Sequence, residues 1–194
     1  TVAQYFQKHG YRTEAVGKIL HPAHGNREDT ASWTVPHYWP DSGSYLTATS
    51  RNKKKGAALE RADVPDNALA DGKIADEAIR RLRAASGRRA EPFFLAVGFL
   101  KPHLPFCAPK RYWDLYDRAG FPLAAVTNPP VGAPAYAPHF GGELRQYAGI
   151  PEQGALDPEL QRTLIHGYHA AVSYMDAQLG RVLDELDRLG LASN

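Results

Sequence analysis

Two short motifs hold side chains whose types and spacing could do chemistry on an anion. In "VGKILHP" a lysine, Lys18, is followed closely by His21; in "KPHLPF" His103 stands between Pro102 and Pro105, with Lys101 just before it. A lysine ammonium is a compact point charge suited to an anionic oxygen. Imidazoles can donate hydrogen bonds to developing charge or hand a proton to a departing oxygen. The flanking prolines stiffen the backbone around His103, which serves preorganisation. A lysine with two imidazoles is a set suited to a tetrahedral oxyanion. Spacing alone also allows each histidine a structural role near a strand end, and Lys101 reads as structural or as lining a cleft.

These residues need elements to bring them together. Thr1 can cap a short helix with Val2, Tyr5 and Phe6 on one face, ending at Gly10. "YRTEAVGK" then reads as a strand that delivers Lys18 and His21 just past its end. Residues 21 to 66 are rich in Pro, Gly, Ser and Asp and read as a long loop layer with one short element. A helix follows over roughly 69 to 85, with Ile74, Ala78, Ile79 and Leu82 as its apolar face. "PFFLAVGFL" is a continuous apolar run, expected to be a strand buried on both faces, and "KPHLPF" comes straight after it. Residues 121 to 156 are again rich in Pro and Gly. Asp157 and Pro158 start a long last helix. Its apolar positions are Leu160, Leu164, Tyr168, Val172, Met175, Leu179, Val182, Leu186 and Leu189, and Gly190 ends it. The pattern predicts an α/β fold: a central, mostly parallel sheet flanked by helices, with long loops. In such sheets ligands bind outside the carboxyl ends of the strands. If the two strands are parallel neighbours, Lys18, His21 and His103 share that edge.

Composition sets outer limits. The chain has 194 residues, 43% hydrophobic and 23% charged, an ordinary globular balance. A net charge of +2 gives no footprint for nucleic acid. No apolar run is long enough to span a bilayer. The single cysteine, Cys107, forms no internal disulfide, and the compartment stays open. Both ends read as cut: the chain opens inside a helix signal and stops at a helix end.

At its chemistry-bearing motifs the sequence resembles the sulfatase family of the alkaline phosphatase superfamily, in its iduronate-2-sulfatase-like branch. The shared features run in one order: "QYFQKHGYRTEAVGKILHP", "DTASWT", "VPDNALADGKIADEAIRRL", "PFFLAVGFLKPHLPF" and "GYHAAVSYMDAQLGRVLDEL". The resemblance implies that residues 1–194 form one partial sulfatase-type domain without the family's N- and C-terminal parts. It implies hydrolysis of a sulfate monoester, of a sulfated sugar or glycosaminoglycan, in a secreted, periplasmic or lysosomal setting. It gives Lys18 and His21 contacts with the sulfate and the modified nucleophile, and His103 a place facing the ester and its leaving oxygen. Lys101 has no assigned role there and is expected to be structural or to bind substrate by lining its cleft.

Cys107, Pro109 and Arg111 spell C-x-P-x-R, the pattern around the family's formylglycine nucleophile. In the family that pattern precedes the G-K-x-x-H motif; here it follows it, so Cys107 is not expected to be the nucleophile. The resemblance also implies calcium, held by Asp-Asp and Asp-His or Asp-Asn pairs. Asp-Asp and Asp-His do not occur in this sequence, and Asp66-Asn67 reads as a helix-start signal. The nucleophile and calcium ligands are therefore expected outside this chain, which alone is expected to be inert. His166 and His169 could share a metal, but packing roles are favoured. Asp176 reads as structural, Tyr168 and Tyr174 as core or semi-core, and Trp33 and Trp113 as loop anchors. Two other classes stay open: a phosphodiesterase or phosphonate hydrolase of the same superfamily, and a non-catalytic anion- or glycan-binding module using Lys18, His21 and the basic run at 51–56. Exposed sheet edges would favour self-association.

Overall fold

The computed structural model describes residues 1–21, 28–41, 45–46, 55–137 and 141–193. Lys53 and Lys54 of the basic run lie outside the described residues, and Lys55 lies within them. The chain divides into two compact units. One comprises Thr1–Gly43, Pro65–Lys101 and Tyr174–Asn194, the other Ser44–Val64 and Pro102–Ser173. Among the described residues each unit contains one pair of parallel strands with helices beside it, the α/β class expected.

In the first unit, helix α1 (Val2–Lys8) begins with the Thr1 side chain accepting from the Gln4 N–H, while Gln4 reaches back to the Thr1 amine in a capping box. Its packed face differs from the expected one. Val2 and Tyr5 are exposed at 65% and 62%, and Ala3 is buried. Phe6 is the anchor, stacked on Phe94 at 5.0 Å and edge-on to Tyr11 at 4.9 Å. One large ring suffices to seat a helix of seven residues. Strands β1 (Arg12–Gly17) and β3 (Phe93–Gly98) pair in parallel, Arg12 opposite Phe93 through Gly17 opposite Gly98. On its other side β1 takes backbone bonds from the segment Thr34–Tyr38, including Tyr38 N–H to Ala15 O at 3.0 Å.

Helix α2 (Ala70–Ser86) packs Ala75, Ala78 and Leu82 against Val182, with Phe93, Leu95 and Val97 of β3 alongside. These odd-numbered β3 residues share one face of the strand, and Phe94 faces α1. The expected full burial of β3 is not met: all six of its residues are half-buried. Among the described residues β3 is paired along one edge only, by β1, and a cavity of about 840 Å³ opens along Phe93–Leu95, Leu82 and Leu186.

In the second unit, strand β2 (Leu59–Ala62) pairs in parallel with β4 (Phe106–Pro109). Neither strand is legible as such in the sequence, because each has four residues and β4 ends on proline. A four-residue helix, α3 (Lys110–Trp113), follows. The core of this unit gathers Ala58, Tyr147, Ile150 and Leu164.

Helix α4 (Pro158–Arg188) is capped by Asp157, whose Oδ1 accepts from the N–H groups of Glu159 and Leu160 at 2.8 and 3.1 Å. Its buried stripe is shifted from the apolar periodicity. Ala170, Ala171, Tyr174 and Gln178 are wholly buried, whereas Tyr168 and Leu179 are 45% and 38% exposed. Size explains this. A Cβ on Gly167 would come within 2.3 Å of Leu59, so the closest-packed side of the helix is built from small residues, which a search for large apolar ones overlooks.

Candidate functional site

Lys18 sits where β1 ends, in a turn that only glycine permits at its first position. Gly17 has φ +77°, and a Cβ there would fall 2.1 Å from the Gly98 carbonyl oxygen. Three backbone bonds shape the turn: Gly17 N–H to Tyr38 O at 2.9 Å, Lys18 N–H to Gly98 O at 2.8 Å, and Ile19 N–H to Gly17 O at 3.1 Å. The last closes a three-residue γ-type turn with Lys18 in the middle. Lys18 is half-buried, and His21, three residues on, is exposed.

The end of β3 is held by a different device. Asp71, in the first turn of α2, is 1% exposed and accepts from the N–H groups of Leu100 and Lys101 at 2.8 and 2.9 Å. Burial pushes the Asp71 carboxyl above its usual range, against the two N–H bonds and the Lys101 charge, which pull it down. Lys101 is itself buried. Because Gly17 and Gly98 lie opposite each other, the Lys18 turn and the Leu100–Lys101 segment leave the sheet at the same carboxyl edge. The sequence gives no sign of the part Asp71 plays.

His103 belongs to the second unit, as do Leu104 and Glu143. Its Nδ1 lies 2.7 Å from the Leu104 carbonyl, which can only accept, so Nδ1 carries a proton. Nε2 then faces Glu143, 3.6 Å from Oε2. Glu143 also lies 3.7 Å from the Lys55 ammonium and accepts from the Tyr147 hydroxyl at 3.2 Å. Burial, then the Glu143 charge, pushes the Tyr147 hydroxyl well above the usual tyrosine range, and Lys55 lies 4.7 Å from the centre of its ring. The peptide bond Leu104–Pro105 is cis. Glu143 carries no signal in the sequence. It sits in a Pro/Gly-rich stretch, and nothing in its spacing links it to His103.

The remaining candidates fall to structural roles. Cys107 is wholly buried in β4, closed to any substrate, and Arg111 of the C-x-P-x-R pattern lies against the neighbouring Tyr112 ring. His166 donates from Nε2 to the Trp113 carbonyl at 2.7 Å, and His169 donates from Nδ1 to Ile165 O at 2.9 Å. Trp113 donates its indole N–H to Ala108 O, and Trp33 to Glu28. Asp176 is exposed. Asp66 starts a 3-10 turn and accepts from Gln178 at 2.7 Å. Among the described residues no group of three or more His, Cys, Asp or Glu is arranged to hold a metal ion, so this donor set does not fit the calcium site that the resemblance implies. Among them, too, no helix is long and apolar enough to cross a membrane.

Comparison with known proteins matches the Sulfatase family model over residues 1–194. Mouse iduronate 2-sulfatase is 37% identical over 100% of the chain, and the human protein 35% over the same span. A sulfatase of Formosa agariphila is 28% identical over 98% of it. The chain spans 38% of the length of the two iduronate 2-sulfatases. With the family model matched over all of its residues, and relatives above 30% identity along its whole length, the chain belongs to the sulfatase family.

Proposed function

We propose that this chain supplies the anion-holding and leaving-group half of a site that hydrolyses sulfate monoesters, with a sulfated sugar as the substrate class. The observation that supports it is the in-register pairing of Gly17 with Gly98, from which the Lys18 turn and the Leu100–Lys101 segment both depart, His103 following two residues on in the sequence. The names of the matched iduronate 2-sulfatases support a sulfate ester over the superfamily's phosphodiester or phosphonate chemistry.

In this reading the Lys18 ammonium neutralises a sulfate oxygen and His21 donates a hydrogen bond to the same group. His103 keeps Nδ1–H on the Leu104 carbonyl, so Nε2 is the atom that passes a proton to the leaving oxygen. Glu143 Oε2, 3.6 Å from Nε2, orients the ring for that transfer. Lys101 acts through its buried place at the end of β3 rather than by touching the ester. A divalent cation would polarise the nucleophile, but no step is assigned to it on these residues.

The test places this chain inside a complete sulfatase domain and follows hydrolysis of an aryl sulfate. His103→Ala and Lys18→Ala are each expected to lower kcat by about 100-fold or more. Undiminished turnover in either variant overturns the assignment. The 194-residue chain alone, given calcium and the same ester, is expected to show no turnover above its His103→Ala variant.

A further inference from the structure

The turn around Lys18 has one polar group held by a side chain. The Gly17 carbonyl accepts from Ile19 N–H and also lies 2.7 Å from His37 Nε2. The His37 side chain is 0% exposed. A carbonyl oxygen only accepts, so Nε2 carries a proton. Nδ1 lies 3.0 Å from Glu28 Oε2, which backs the ring on its far side. The other oxygen of Glu28 is already taken by the Trp33 indole N–H at 3.1 Å and the Asp29 backbone N–H at 3.0 Å. Trp33 and Trp39 flank the imidazole, with ring centres 6.1 and 5.3 Å away. The ring cannot turn without breaking a bond at each nitrogen.

We infer that His37 is a positioning residue for Lys18: its Nε2–H, held from behind by Glu28, locks the Gly17 carbonyl and with it the turn that presents the lysine. The need is physical. Gly17 has no Cβ to restrict its peptide planes, and it occupies a conformation that other residues avoid. Its N–H is fixed by Tyr38, but without His37 the carbonyl would keep only the bond from Ile19 inside the turn itself. Such a turn is weakly held on its own. A flexible lysine stem needs a fixed root if its ammonium is to meet an oxyanion preorganised. This inference rests on the reading that Lys18 meets an anion.

The experiment uses the full 194-residue chain, isotopically labelled for NMR, with variants His37→Leu, His37→Gln and Glu28→Gln. Leucine fills the space without a donor, and glutamine can return one N–H to the carbonyl. In the native chain the His37 ring is expected to carry a proton on Nε2. Loss of one hydrogen bond is expected to speed Ile19 amide exchange roughly tenfold in His37→Leu, with most of the protection restored in His37→Gln. Glu28→Gln is expected to fall between. Inorganic sulfate should shift the Lys18 side-chain signals in the native and His37→Gln chains and require roughly tenfold more sulfate in His37→Leu.

A native ring without a proton on Nε2 overturns the inference, as does unchanged Ile19 exchange in a folded His37→Leu chain. Should leucine unfold the chain, native-like Ile19 exchange in Glu28→Gln overturns it equally. If sulfate leaves the Lys18 signals of the native chain unmoved, the anion-holding role of Lys18 fails, while the exchange rates still judge what His37 holds.

Discussion

Tyr174 is the largest side chain wholly withdrawn from solvent, and its hydroxyl replaces a helix cap. The position before α2 is Leu69, which has no side chain to cap the first turn. The Tyr174 hydroxyl accepts the Gly72 N–H at 2.7 Å and donates to the Asp66 carbonyl at 2.9 Å, bridging residues 102 and 108 positions away. Tyr174→Phe keeps the ring and strands a buried N–H. It is expected to cost about 1–3 kcal/mol of stability, read from urea denaturation. A loss near zero would mean that water reaches Gly72. Asp71, one residue before, depends on the same first turn, so this variant should also loosen the amide protection of Leu100 and Lys101.

Between elements, β1 and β3 approach so closely at their ends that only glycine fits on either strand. A Cβ on Gly98 would lie 2.0 Å from the Lys18 carbonyl oxygen, as one on Gly17 would crowd Gly98. Gly17→Ala is expected to cost about 3 kcal/mol or more, from clash with backbone that cannot retreat added to the strain of positive φ. A thermal melt within a degree or two of the native chain would refute the close approach. Helices α2 and α4 are joined by Glu185, which accepts from Arg188 on its own helix and from Arg83 across the pair. Those two guanidiniums, Arg188 first, hold the Glu185 carboxyl down to about 2, from an ordinary 4.5. A depressed carboxyl contributes stability above its unfolded pKa and loses it as pH falls towards the folded one. Glu185→Gln should therefore lower Tm near neutral pH, and the difference should shrink between pH 4.5 and about 2. Added salt should shrink it too, since both arginines reach solvent.

For the whole molecule, neither compact unit is continuous in sequence; the chain passes between them at residues 43–44, 64–65, 101–102 and 173–174. Among the described residues each unit has a two-stranded parallel ladder, and parallel pairs normally lie inside larger sheets covered on both faces. In the first unit, the half-buried β3 and the cavity beside it leave apolar surface within reach of solvent. Self-association is the expected consequence. Sedimentation velocity over a wide concentration range should show a coefficient that rises with concentration; a constant monomer value would count against it. The net charge of +2 is too small to keep copies apart by repulsion.

Local sequence was enough for features that depend on neighbours along the chain. The capping residues Thr1 and Asp157, the helix over Ala70–Ser86 and the strand ending at Gly17 were all legible, because a cap or a periodic face needs only a few adjacent residues. The motifs themselves were legible for the same reason, and they carried the family. What depended on distant partners was not. The polar four-residue strand β2 exists because Leu59–Ala62 finds Phe106–Pro109. Cys107 is closed off by burial, which no pattern match reports. Asp71 and His37 meet their partners only when folding brings acceptors and donors from separate segments within bonding distance, since a hydrogen bond is decided by position in space and not by order along the chain.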